Sequence, residues 1–203
     1  MGSFFDFDSD IMNRLRKVTD LIIVNLLTIL CCIPVVTVGA ALTAAHYTLI
    51  KMHRDSENYI IKNYFRSFVQ NFKQATILWL IYMAIVELGV IGFHIFDIGT
   101  SGGLLLSIVL LIAELVCFFV YLWVLPLQAR FSNTISGTIK NAMILSFKYI
   151  GRTFCMGILS SLVLLGFYFI SAIWSVALIL VGVSLSIYLC VLIYDKVFLK
   201  LEK

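Results

Sequence analysis

The chain has 203 residues, of which 62% are hydrophobic and 13% charged, with a formal net charge of +4 at pH 7. A mean hydropathy of +1.05 excludes a soluble globular domain, and several membrane spans at this length leave no room for a second, aqueous one. The pI of 8.8 points to anionic headgroups rather than nucleic acid, because the cations line the edges of apolar blocks.

In chain order, Phe4 to Asp20 reads as an amphipathic helix carrying Arg14, Arg16 and Lys17. Its acidic, aromatic start and an apolar run that continues to Ile50 argue against a cleaved signal peptide, and Asp6 stands where a myristoylation site needs Ser or Thr. The first apolar block, residues 21–50, is long for one span and short for two, at about 20 residues per crossing. Pro34, followed by the β-branched Val35, Val36, Thr37 and Val38 and then Gly39, predicts a break. The block is therefore expected to form a short hairpin with arms at 18–33 and 38–52. Gly39, Ala40, Ala41, Thr43, Ala44 and Ala45 predict close helix packing along its second arm.

Residues 56–74 follow as an interfacial amphipathic helix, started by Ser56 and Asn58, with Ile60, Ile61, Tyr64, Phe65, Phe68, Val69 and Phe72 at one-face spacing. A second hairpin, 75–96 and 103–126, turns through Asp97, Gly99, Thr100, Ser101, Gly102 and Gly103. Residues 132–150 form another interfacial helix, with Ile135, Ile139, Met143, Phe147 and Ile150 apolar. Residues 153–194 carry no charged side chain and, as one helix, would reach about twice the hydrocarbon thickness. They are expected to divide into 153–171 and 174–194 at a turn near Ser171 to Ser175. Trp79, Trp123 and Trp174 read as interface anchors.

The fifteen Lys and Arg residues fall in four segments, 14–17, 51–73, 130–152 and 196–203. Three hairpins place all of them on one side, whereas a single span over 21–50 would strand Arg14, Arg16 and Lys17 opposite the rest. The expected fold is thus an all-α polytopic membrane protein of six segments with interfacial helices, both termini cytoplasmic by the positive-inside rule. The N-terminal segment with its hairpin makes a third unit of the same order, interfacial helix then hairpin.

Glu87 and Glu114 are the only charged side chains deep in an apolar block, and each lies about 20 Å below the turn near Thr100. An ionisable group at that depth is a site candidate. With no cation beside them, either a proton or cation is shared between the two, or each is neutral and bonded to a polar neighbour such as Asn25, Thr28, Thr43 or Thr48. His94, two turns beyond Glu87 on the same face, and His46 complete the candidate polar site, with packing the alternative for both. Lys62, Arg66, Lys73 and Lys140 form a candidate partner surface on the interfacial helices, a lipid surface being the plainer reading. The five cysteines lie in apolar runs without CxxC spacing, and neither a metal-ligand cluster, a phosphate loop nor a nucleophile with a positioned base is recognisable. No cofactor, no metal and no enzymatic activity are expected.

The run Pro34-Val35-Val36-Thr37-Val38-Gly39-Ala40-Ala41-Leu42-Thr43-Ala44, with Tyr47, Lys51, Tyr64-Phe65-Arg66-Ser67-Phe68 and Asn71-Phe72-Lys73-Gln74-Ala75, resembles the YesL-like family of small bacterial membrane proteins. Leu125-Pro126-Leu127 and Arg130-Phe131 are a second landmark. The chain departs from the family's usual Gly-Pro at Gly39-Ala40, losing a helix-starting proline. The resemblance implies a plasma-membrane protein that accompanies carbohydrate uptake, with sugar-importer subunits as partners. The expected function is an accessory or regulatory component of oligosaccharide import, self-association being open. The alternative is a self-sufficient proton- or cation-linked transporter or channel using Glu87 and Glu114.

Overall fold

Helix is the only regular structure among the described residues, as apolar blocks without water to bond their backbone groups require. The computed structural model describes residues 2–55, 59–95, 101–169 and 178–202. In order they form α1 (Gly2–Cys32), α2 (Val38–Asp55), α3 (Ile60–Ile95), α4 (Ser101–Arg130), α5 (Ile135–Lys148), α6 (Ile150–Phe169) and α7 (Val183–Leu201). A 3-10 turn, Val35–Thr37, joins α1 to α2, and a π-helical turn, Leu178–Gly182, leads into α7. Of the expected turn from Asp97 to Gly103, residues 97–100 lie outside the described residues, as do Ser171 to Ser175, Ser56, Asn58 and Trp174. Ser101, Gly102 and Gly103 already belong to α4, whose helix starts before the expected span.

The stretches Val35–Arg54, Ile60–Ile95, Gly102–Arg130 and Leu180–Leu201 are each long and apolar enough to cross a membrane. The pair Ile135–Lys148 and Ile150–Val163, bent by 102°, makes a fifth if taken as one span. Several apolar helices of this kind are compatible with a multi-pass membrane protein.

The break in the first block falls where the sequence puts it, directly at Pro34. Residues 56–74 and 75–96, read as two elements, are instead one element from Ile60: α3 runs unbroken for 36 residues, about 54 Å. Nothing in the backbone stops it, since no Gly or Pro occurs between Ile60 and Gly89. The second interfacial element does stand apart. Thr134 caps α5 by accepting a hydrogen bond from the Gly137 N–H at 3.2 Å, and the helix ends at Tyr149 before the elbow into α6.

At the centre lies α2, against α1, α3, α4 and α7. Its Ala40, Ala41, Ala44 and Ala45 are fully buried, the outcome expected of a small-residue face. A side chain on Gly39 would overlap the Ala75 carbonyl oxygen and Trp79 Cβ, so α2 and α3 touch backbone to backbone there. Trp123, expected at an interface, is instead wholly buried. Its indole N–H donates to Thr153 Oγ1 at 2.8 Å, and that oxygen lies 3.0 Å from the Ser146 carbonyl, which ties α4 to the elbow between α5 and α6. Buried Asn25 accepts the Ser184 backbone N–H at 2.8 Å, fastening α1 to the start of α7 just past the π turn.

Candidate functional site

The polar candidates divide between two regions. At one end of the bundle, Arg54 of α2 donates through Nε to Asp195 of α7 at 2.7 Å, and through Nη1 to both oxygens of Glu202 at 2.9 and 3.1 Å. Arg130, closing α4, donates to Glu202 at 2.8 Å, and His53 Nε2 lies 3.9 Å from Asp195. Three helix ends are thereby clamped through charges, with Arg54 and Asp195 largely buried and Glu202 partly so. The sequence marks the cations at this end plainly and the two acids hardly at all. The one usable signal for them is that Asp195 and Glu202 stand among Lys196, Lys200 and Lys203, in the segment that closes the last apolar run.

The hydrogen bond from Arg130, reinforced by the one from Arg54, holds the Glu202 carboxyl below the usual carboxylate range. A depressed acid contributes stability above its unfolded value of about 4.3, and that stability is lost as pH falls through the lower folded value. Glu202→Gln should therefore melt below the native protein in detergent at pH 7, with the gap narrowing as the pH falls below the ordinary carboxylate range. A gap independent of pH would remove the charge pairing as its cause.

On the same end, the first half of α3 shows three distinct faces at 100° per residue. Ile60, Asn63, Tyr64 and Ser67 are buried against the bundle. Further along that face, Gln74 donates to the Asn133 carbonyl at 2.5 Å, and Asn71 accepts from Gln128 at 3.1 Å. Ile61, Phe65, Val69 and Phe72 form an exposed apolar stripe, and Lys62, Arg66 and Lys73 an exposed basic stripe beside it. The single apolar face read from the sequence is thus split. The residues that reach the bundle are chosen for hydrogen bonding, which leaves half of the aromatic and aliphatic positions outside. On α5, Lys140 is exposed near Met143, Ile144 and Phe147, also exposed.

The apolar α3–α4 pair holds the second region. Glu114 lies against Gly89, where any side chain would overlap its carboxylate. With His94, Phe93 and Leu111 it borders a shallow cavity of about 150 Å³. Glu87 is exposed and does not line that cavity. Two residues before Gly89 it points roughly 160° away around α3, so the two carboxylates share a depth without sharing a face. His46 is elsewhere again, buried in α2, with Nδ1 2.9 Å from the Tyr194 hydroxyl of α7. Thr28, Thr43 and Thr48 bond backward to their own helices, to the carbonyls of Val24, Gly39 and Ala44. Among the described residues, no group of His, Cys, Asp and Glu is arranged to hold a metal ion.

Long apolar helices, an end clamped by charges and an amphipathic first half of α3 make up an all-helical protein compatible with the multi-pass membrane class. Residues 21–93 match a family model described as "Protein of unknown function, DUF624", which is the YesL-like group. No curated protein and no solved structure matches the chain.

Proposed function

We propose that the chain is an accessory or regulatory component of the bacterial plasma membrane, not an enzyme, and that it meets a partner through its cation-bearing, cytoplasmic end. In this reading the helices form three hairpins with both termini cytoplasmic, the first hairpin being the short one. The observation that supports it most is the three-faced first half of α3, where a basic stripe and an apolar stripe stand exposed side by side. Amphipathic helices with such faces serve as docking elements. The matched residues 21–93 include this segment, and the YesL-like resemblance extends the proposal to sugar-importer subunits as the partner. Arg66→Glu with Lys73→Glu should lower recovery of importer subunits from native membranes at least tenfold while the protein still inserts. Unchanged recovery would sink the partner reading.

One observation favours a second function, solute transport: Glu114 and His94 border the same cavity. Glu114→Gln together with Glu87→Gln should then abolish flux in reconstituted vesicles, and retained flux would remove both carboxylates from consideration.

A further inference from the structure

We infer that the α1–α2 hairpin enters the bilayer from the cation-bearing side and turns back inside it, so that its tip rests among lipid acyl chains instead of emerging opposite. The inference depends on the multi-pass reading alone and not on the identity of any partner.

The tip is placed by its contacts with α3. Trp79 Nε1 donates to the Val35 carbonyl at 2.8 Å, and Gly39 abuts Ala75 and Trp79. From that level α3 continues to Ile95, about 24 Å further at 1.5 Å per residue. Tyr121, whose ring centroid is 6.0 Å from that of Trp79, marks the same level on α4, and the stretch from Ser101 to Tyr121 adds about 30 Å. If the tip of the first hairpin reached the far surface, this whole extension would stand in water. It carries Leu88, Ile91, Leu105, Leu111 and Ile112 outward, each more than half exposed, an all-round apolar surface unsuited to water and suited to lipid. Conversely, an extension of about 24–30 Å takes up most of the roughly 30 Å hydrocarbon core, which sets the tip just inside its cation-bearing edge.

The arms have the matching length. Between Asp20 and Pro34 the apolar part of α1 is Leu21 to Cys32, and α2 is uncharged from Val38 to Ile50. Each is about 20 Å long, a size that suits a re-entrant element better than a crossing. The apolar character of α2 is also accounted for by protein, since 61% of its span window is buried inside the structure against 11% for α3 and for α4.

Turn chemistry decides between lipid and water. The tip residues Ile33, Val35 and Val36 are 73%, 64% and 51% exposed, yet they offer water nothing polar. Several of the backbone groups at the tip are bonded within the protein instead. The Ile33 N–H bonds the Leu30 carbonyl and the Thr37 N–H the Pro34 carbonyl. The Thr37 hydroxyl lies 2.6 Å from the Cys31 oxygen and 2.8 Å from that of Pro34. Val35 O takes both the Val38 N–H and the Trp79 indole. Non-helical backbone survives at membrane depth only where its polar groups are satisfied in this way. By sequence, the other turn, with Asp97, Gly99 and Thr100, has the polar make-up of one that leaves the bilayer.

The test is labelling of Val36→Cys with a membrane-impermeant maleimide in intact cells and in inverted vesicles, with adducts assigned by peptide mass mapping so that the native cysteines stay in place. Gly102→Cys, at an exposed position where an added side chain meets open space, is the outside control. The expected result is that position 102 labels from outside only, and position 36 at least tenfold less from either face. After detergent solubilisation position 36 should label freely. Labelling of position 36 from outside at the rate of position 102 would overturn the inference in favour of a full crossing. Labelling from the inverted side would place the tip outside the hydrocarbon, and persistent protection in detergent would attribute it to protein; either result also overturns the inference. Val35→Cys repeats the test if the first variant fails to fold.

Discussion

Asp195→Ala should destabilise the protein by about 3 kcal/mol, because it leaves the Arg54 guanidinium largely buried without its closest counter-charge. The loss arises from the stranded cation more than from the pair itself. Replacing both partners with apolar residues, Arg54→Met with Asp195→Leu, should accordingly restore most of the stability. Thermal unfolding in detergent, followed by loss of the monodisperse species, measures both. If Asp195→Ala melts with the native protein, the ionic clamp is too well hydrated to hold α2 and α7 together. If the double variant melts lower than the single one, the charges contribute more than the removal of an unpaired ion can explain.

Gly39→Val should be comparably damaging, at about 3 kcal/mol, for a steric reason. The obstruction is the Ala75 carbonyl together with Trp79 Cβ, and neither can rotate away, so the two helices must separate. Gly39→Ala meets the same obstruction and should lose only somewhat less. Separation would also draw the Val35 carbonyl from the Trp79 indole, opening the tip of the first hairpin. The expected signs are a lowered melting temperature and new protease sensitivity near Pro34. A Gly39→Val protein with the native melting temperature would mean that the α2–α3 contact yields without loss.

Much of the fold was legible because membrane helices are written in strong signals. Proline at position 34 marks the break between α1 and α2, and the long runs without a cation mark the apolar lengths of α3, α4 and α6. The helix does not break at residue 75, and the reason is general. Amphipathic character ends there because the surroundings change, but a backbone without Gly or Pro has no cause to stop with them. Depth was legible too, which is why Glu87 and Glu114 could be matched in height. Azimuth was not, since a helix apolar on all sides carries no mark of which face meets its neighbour. The contacts of Arg54 with Asp195, His46 with Tyr194 and Trp123 with Thr153 each join residues far apart in the chain, and no local pattern announces such pairs.

The elbow at Tyr149 has the shape of a lever. Since the chain bends by 102° between α5 and α6, an α6 standing upright in a bilayer would lay α5 nearly flat along its surface as an arm of 14 residues, about 21 Å. Moving as one piece, a 10° lean of α6 carries the far end of that arm through about 4 Å. Gln74, whose amide grips the Asn133 carbonyl just before that end, would pass such a swing into the first half of α3, so that a small inclination within the bilayer becomes a displacement of the basic stripe at its edge.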